Sequence, residues 1–391
     1  MVADAAAFML GVDVFLAGYT KLMAGKRVGL ITNQTGRNGA GTPTIDLLYR
    51  HPDVKLVALF APEHGIRGRV QAGAAVPKTV DSRTGIPVYS LYGSNDHRPE
   101  KVVLDGIDVL IYDIQDVGSR AYTYIWSMAE AMAAAGETGK EFVVFDRPNP
   151  LGGHTIDGPV TEPQWLSFIG LYPIPRVYGM TVGELARYLN GEHGLNCRRL
   201  TVIPMAGYTR DMPWHNVGMR WVPPSPNIPS PESAVTFAAT GTIGTLGCMF
   251  IGIGTPYAFQ AVGAPWIKAR WSAEMLNSRK LPGVIFKPVS FAQPDGPFGT
   301  ERIEAVLLKI TDATRFWPAT TELVILDHLT RHYRGRFRWR RDKLNSFDKA
   351  MGTSRVRQAV ETGRPVAEIV RRWGEEQQAF RAKRKKYLIY E

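Results

Sequence analysis

Four short apolar runs recur in the first 150 residues, and each ends in a polar cluster. Arg27–Ile31 (RVGLI) leads into Thr32-Asn33-Gln34-Thr35-Gly36, and Val54–Phe60 (VKLVALF) into Ala61-Pro62-Glu63-His64-Gly65. Val109–Tyr112 (VLIY) leads into Asp113-Ile114-Gln115-Asp116-Val117-Gly118, and Phe142–Phe145 (FVVF) into Asp146-Arg147-Pro148-Asn149-Pro150. Short apolar runs rich in β-branched residues, without a polar residue at every second place, mark strands covered on both faces, as in a parallel sheet. Helix-like stretches lie between them, at Thr44–Tyr49 and at Tyr122–Ala135, the second Ala- and Met-rich and predicted to stop at Gly136. Strands alternating with helices predict an α/β fold with helices on both faces of the sheet.

That arrangement has a chemical consequence, because ligands of open α/β sheets bind beyond the carboxyl ends of the strands. Asn33, Glu63, His64, Asp113, Asp116, Arg120, Asp146, Arg147 and Asn149 would gather along that one edge. Asp and Asn are turn residues in any protein, so a single cluster is explained by turn chemistry. Four at the same edge predict a shared site. Glu63 follows a proline at an apolar strand tip, where desolvation raises a carboxyl pKa and suits it to general-acid work. Asp113 and Asp116 come from another strand end with Arg120 one turn on, and Asp146 with Arg147 from a third. Two carboxyls around one cleft are what glycoside hydrolysis requires. The competing reading is an Asp–Arg network that ties loops together, and it is strongest for Asp146–Arg147. Tyr89, Tyr92, Tyr122, Tyr124, Trp126, Trp165, Trp214 and Trp221 stand in the polar loops. Each taken alone is read as core rather than as a sugar-stacking face.

Downstream, Thr181 and Glu184 form a capping box that opens a helix running to about Asn190. Trp221–Pro231 holds five prolines in 11 residues, which excludes a regular helix and predicts an extended connection near a domain boundary or a site wall. A Gly-rich apolar stretch, Thr240–Gly254, follows. Then come a helix around Trp266–Leu276, strands at Val284–Phe291 and Ile303–Ile310, and helices at Glu322–Tyr333, Arg355–Thr362 and Val366–Arg384. This second part reads as α+β.

Several function classes are disfavoured. Gly36-Arg37-Asn38-Gly39-Ala40-Gly41 is not G-x-G-x-x-G, no P-loop Lys follows it, and no G-x-S-x-G elbow occurs. Cys197 and Cys248 are too few for a disulfide framework or a Cys-rich zinc site. His328 and His332 are i,i+4 neighbours without the H-E-x-x-H pattern, so no metal is expected. No window approaches 18 apolar residues, so no transmembrane helix is expected. The first residues lack a basic region and carry Asp4 and Asp13, which does not read as a secretory leader; as it stands the sequence reads as cytoplasmic. The formal charge of +11 resides in residues 331–391, with 18 Lys+Arg against 7 Asp+Glu. A basic run such as Arg381-Ala382-Lys383-Arg384-Lys385-Lys386 attracts nucleic acid or anionic polymers, but a solvated helix face is the commoner explanation, and no nucleic-acid partner is expected.

The motifs together resemble the exo-β-N-acetylmuramidases, a bacterial family of peptidoglycan-recycling glycoside hydrolases, over Gly11 to Tyr390. The carrying segments are Gly29–Gly36, Pro62–Gly68, Pro87–Gly93, Tyr112–Arg120, Asp146–Pro150, Pro223–Pro229, Gly263–Trp266 and Phe347–Thr353. The resemblance implies a Rossmann-like, mainly parallel catalytic domain at 1–232 and a smaller α+β auxiliary domain with basic C-terminal helices at 233–391. It implies hydrolytic release of N-acetylmuramic acid, or a related amino sugar, from non-reducing ends of peptidoglycan fragments, with no metal, nucleotide or other cofactor. A non-catalytic sugar-binding relative is the alternative. Glu63 matches a glutamate conserved in the family and is expected to be the catalytic acid/base, with Asp116 as first and Glu162 as second choice of partner. Asn33, His64, Asp113, Arg120, Tyr122, Arg147 and Asn149 are expected to line the sugar pocket. A periplasmic or extracellular location, and anionic cell-wall material as the target of a basic auxiliary surface, are implied in the same way. Three segments depart from the family pattern. Ala72-Gly73-Ala74 stands for Ala-Gly-Glu, and Phe250-Ile251-Gly252-Ile253-Gly254-Thr255 stands for Ser-Glu-Gly-Arg-Gly-Thr. Gly299-Thr300-Glu301 stands near the place of a Cys-Gly-Gly segment. Muramic acid carries a lactyl carboxylate, so loss of an Arg bears directly on specificity.

Overall fold

The computed structural model describes residues 7–68, 78–92, 97–292 and 298–391. Ala72–Ala74 and Gly93 lie outside them. The first part holds strands β1 (Arg27–Thr32), β2 (Lys55–Ala61), β3 (Thr79–Val80), β4 (Pro87–Ser90), β5 (Val109–Asp113) and β6 (Glu141–Phe145), then a two-stranded antiparallel ribbon, β7 (Asp157–Val160) and β8 (Pro175–Val177), and β9 (Leu200–Ile203). Its helices are α1 (Gly11–Gly18), α2 (Thr44–Arg50), α3 (Lys101–Leu104), α4 (Tyr124–Glu137) and α5 (Val182–Glu192). The main sheet has the order β3-β4-β2-β1-β5-β6-β9 and is parallel except where β3 meets β4. The strand order reverses between β1 and β5, the crevice position at which doubly wound sheets bind ligands.

Burial explains why the apolar runs are continuous. Along β5, Val109 and Ile111 enter the core on one face of the sheet, and Leu110 and Tyr112 the core on the other. Along β6, Val143 and Phe145 alternate in the same way with Phe142 and Val144. The α/β expectation therefore holds. Gly136 does not end α4: the helix continues to Glu137, and Gly139, at φ 67°, makes the turn beyond it. Gly136 is needed for another reason, since a Cβ there would stand 2.5 Å from the Leu195 carbonyl oxygen.

The second part is α+β, with helices α6 (Pro231–Thr245), α7 (Ala269–Asn277), α8 (Pro318–His332), α9 (Leu344–Met351), α10 (Arg355–Glu361) and α11 (Val366–Arg384). Its sheet, β10 (Ala261–Ala264), β11 (Val284–Ala292) and β12 (Arg302–Ile310), is antiparallel in the order β10-β12-β11. Two expectations are corrected. The proline-rich connection ends at Ser230, which caps α6 through the Ser233 N–H, with Pro231 in the first turn; the Gly-rich stretch is therefore helical as far as Thr245. Helix α8 begins a turn early because buried Asp157, on the ribbon, accepts the Thr320 N–H and hydroxyl at 2.9 and 2.8 Å. In the loop that departs from the family pattern, Ile251 is buried in the core of the second part against Gly244.

The basic C-terminus is not one solvated face. Arg384 is 3% exposed and donates to the carbonyls of Gly153, Tyr178 and Gly179 in the first part of the chain. Phe380 packs on Tyr188 at 5.0 Å, and the Tyr390 hydroxyl donates to Asp146 Oδ2 at 2.6 Å. Lys386 pairs with Glu192 at 2.9 Å on the exposed side. No helix among the described residues is long and apolar enough to cross a membrane.

Candidate active site

Parallel pairing brings the strand ends level: Thr32 of β1 lies beside Asp113 of β5, and Tyr112 beside Val144 of β6. The turn after β2 is tight. Gly65 N–H bonds the Pro62 carbonyl at 3.0 Å, and both His64 (φ 73°) and Gly65 (φ 75°) occupy left-handed backbone. A non-glycine residue there is strained, and such strain gathers at functional sites. The turn leaves Glu63 half-buried while His64 is packed inside, 5% exposed.

Glu63 is surrounded by hydroxyls. Thr123, just before α4, donates to its Oε2 at 2.9 Å, and the Tyr124 hydroxyl lies 3.4 Å from its backbone carbonyl. Tyr92 approaches the same carboxylate within hydrogen-bonding reach, and burial together with that negative charge pushes the phenol up to about 12. The Tyr124 hydroxyl also donates to the Pro224 carbonyl at 2.5 Å, while Gln34 Nε2 donates to the Pro223 and Pro224 carbonyls at 2.8 and 3.0 Å. The proline-rich connection is thus a wall of the site. Asn33, 2% exposed, uses Oδ1 to accept from the Thr35 N–H and hydroxyl, and its Nδ2 is buried without a hydrogen bond among the described residues. Tyr122 stacks edge-on against Tyr124 and against Phe237 of α6, which joins the second part of the chain to this wall.

The other carboxylates at the edge are differently disposed. Asp113 is fully buried, ion-paired with Arg147 Nε at 2.5 Å and accepting the Thr44 hydroxyl at 2.5 Å. Asp116, 3% exposed, accepts the Gly118 N–H at 2.7 Å and the Tyr178 hydroxyl at 2.5 Å; burial raises its pKa to about 6 against those hydrogen bonds. Asp146 is fully buried and receives Arg147 N–H, Gly183 N–H, Thr181 and Tyr390; burial raises its pKa to about 6 as well.

Three candidates stand apart from Glu63. Arg120 is fully buried, and its guanidinium donates to the carbonyls of Pro159, Ile174, Ala350 and Met351, so it staples the ribbon to the end of α9 instead of facing a pocket. Asn149 bonds the Met180 carbonyl and the Leu151 N–H and braces its own loop. Glu162 accepts the Thr353 hydroxyl at 2.6 Å and pairs with Arg355 at 3.0 Å, in a groove between the ribbon and helices α10 and α11. Thr123, Tyr178 and Gln34 were not singled out from sequence. The hydroxyl-rich Tyr122-Thr123-Tyr124 run at the start of a helix is the signal that points to Thr123; nothing local points to Tyr178.

Residues 28–232 match the family model described as exo-β-N-acetylmuramidase NamZ, N-terminal, and residues 235–390 match its C-terminal counterpart. The peptidoglycan β-N-acetylmuramidase NamZ of Bacillus subtilis is 43% identical over 380 residues, 97% of this chain and 91% of that protein. Two crystal structures of DUF1343 family proteins from Bacteroides fragilis share the architecture, and each alignment covers 98% of this chain and 99% of the other. One has a TM-score of 0.93 at 39% identity, the other 0.76 at 30%.

Proposed function

The chain belongs to the exo-β-N-acetylmuramidase family of exo-acting glycosidases, and from that premise we propose that it releases N-acetylmuramic acid, or a related amino sugar, from the non-reducing ends of peptidoglycan fragments, with Glu63 as the acid/base group. One observation carries the assignment. Among the described strand-end carboxylates, Glu63 alone is half-exposed, while Asp113, Asp116 and Asp146 are buried and bonded internally. Division of the chain at 232/233 is part of the same proposal, supported by the ranges of the two family models.

With one accessible carboxylate among the described strand-end residues, a substrate-assisted route is favoured over a pair of protein carboxylates. Glu63 gives its proton to the glycosidic oxygen as the C1–O bond breaks. The substrate's own acetamido oxygen forms the new bond to C1. Water then adds at C1, returns a proton to Glu63 and reopens the ring formed with the acetamide. Tyr92 and Thr123 hold the carboxyl in place during both transfers. The test is the anomeric configuration of the freshly released sugar, followed by NMR on a chromogenic N-acetylmuraminide. Retention, with loss of turnover when the N-acetyl group is replaced by a free amine, is the expected result. Inversion requires a second base and removes this route, and absence of turnover by the wild type with binding retained would establish the non-catalytic alternative.

A further inference from the structure

A cleft of about 360 Å³ opens at the strand-order reversal, beyond the ends of β1, β5 and β6. It is linked to Glu63 through Tyr124 and the Pro223–Pro224 segment, and Pro223 is one of its walls. Arg37, Arg147 and Arg220 line it, and its described lining contains no Asp or Glu. Arg147 is neutralised by Asp113. Arg37 donates to the backbone carbonyls of Gln34 and Gly41 and keeps its charge, and Arg220 is exposed with no ion pair among the described residues. The cleft is therefore electropositive, with two cations left for a ligand.

Gln115 adds a second and independent demand. It is 3% exposed, and its Nε2 donates to the Asp116 and Pro148 carbonyls at 2.9 and 2.7 Å, which fixes the amide orientation. Its Oε1 is buried without a hydrogen-bond partner among the described residues. A buried acceptor left unmade is costly, so this position calls for an O–H or N–H donor. Trp214 and Trp221, edge to face at 4.8 Å, supply an apolar wall of the kind on which a sugar ring or a methyl-bearing side chain rests.

We propose that this cleft is a subsite for the carboxylate-bearing portion of the glycan ligand, with Arg37 and Arg220 on the carboxylate and Gln115 Oε1 on an adjacent hydroxyl or amide N–H. It rests on the peptidoglycan reading above for the ligand class, and it adds a specificity determinant to it. The carboxylate has two sources in such fragments, the lactyl ether of the sugar itself or the peptide attached to it.

The test is tryptophan fluorescence with calorimetry on the Glu63→Gln protein at low salt, so that binding is read independently of hydrolysis. Probes are N-acetylmuramic acid, N-acetylglucosamine (which lacks the lactyl carboxylate) and the same muramic acid bearing an acidic dipeptide. Anionic probes are expected to bind more tightly than the neutral sugar, and Arg220→Glu to weaken them about tenfold or more while leaving the neutral sugar unchanged. Arg220 is exposed and makes no hydrogen bond among the described residues, so this variant is expected to fold; Arg37→Leu is the second arm. Binding of the free sugar acid assigns the lactyl group, and binding of the peptide-bearing form alone assigns the peptide carboxylate. Equal affinity for charged and neutral sugars, or no effect of Arg220→Glu, overturns the subsite. Failure of hydrolysis in the wild type with these differences intact overturns only the catalytic reading.

Discussion

Two groups of carboxylates stand at the same edge of the sheet and meet different environments. At the tips of β5 and β6, Asp113, Asp116 and Asp146 are enclosed and each receives two or more donors from the fold. At the tip of β2, Glu63 is half-exposed and held by hydroxyls of Thr123 and Tyr92. A strand end can use a carboxylate to hold loops or to do chemistry, and what separates the two here is enclosure: the three Asp side chains are buried and Glu63 is half-exposed. The sharpest way to break this comparison is Glu63→Gln. General acid/base groups contribute about 10²–10⁴-fold, so kcat should fall by that factor. The thermal midpoint should stay near wild type, because the amide keeps an acceptor for Thr123. Near wild-type turnover, measured with a chromogenic N-acetylmuraminide, would place the chemistry elsewhere.

The opposite outcome is expected at β5. Asp113→Ala leaves the Arg147 guanidinium, 3% exposed, without its partner inside the protein. Breaking a buried pair from one side costs about 3–5 kcal/mol, to be read from urea unfolding. A variant of wild-type stability that had lost turnover would move Asp113 from the holding group to the chemical one. Asp116 tests the comparison through pH. Its folded pKa, about 6, lies above that of an unfolded aspartate, so the folded state binds the extra proton. Its contribution to stability is fully present below about pH 4 and is lost as pH rises through about 6, a change of roughly 2–3 kcal/mol. Asp116→Asn keeps an acceptor for Gly118 and Tyr178. Melting curves from pH 4 to 7 should therefore show a smaller decline in the variant than in the wild type.

These contrasts also mark what was legible in the sequence. The parallel sheet could be read because strands buried on both faces need uninterrupted apolar residues, and β5 and β6 have them. Helix α6 was hidden because Pro231, at its first turn, closes a run of prolines that reads as extended chain. The edge itself was readable, and so was Glu63 as a residue of that edge. Which charged residues would be enclosed was not, because their partners are far away in sequence. Arg120 meets the Met351 carbonyl 231 residues later, and Asp146 meets Tyr390 244 residues later. Residue type and local spacing are the same for a staple and for a catalytic group. Only the long-range fold distinguishes Arg120, bound by four carbonyls, from the Arg220 guanidinium at the open cleft.

The smallest expected effect concerns that last long-range contact. Tyr390 donates to Asp146 Oδ2 at 2.6 Å and accepts the Met205 N–H at 2.8 Å, so the C-terminus closes over the β6 tip. Tyr390→Phe removes one hydrogen bond to a carboxylate and one from a backbone amide. A hydrogen bond to a charged group is worth about 1.5 kcal/mol or somewhat more, which sets the expected loss. The sign of its pH dependence is fixed by the same contact. The phenol hydrogen bond holds the Asp146 pKa down against burial, so its removal raises a folded-state pKa already near 6. The variant should accordingly lose most relative to wild type above that pH, where Asp146 is ionised, and approach wild type as acid protonates the carboxyl. A deficit that stays constant from pH 4 to 8 would mean that the lost Met205 N–H contact, and not the bond to the Asp146 carboxylate, accounts for it, and no deficit at all would mean that the ring's packing on Tyr208, which Phe keeps, is what binds the C-terminus to the sheet edge.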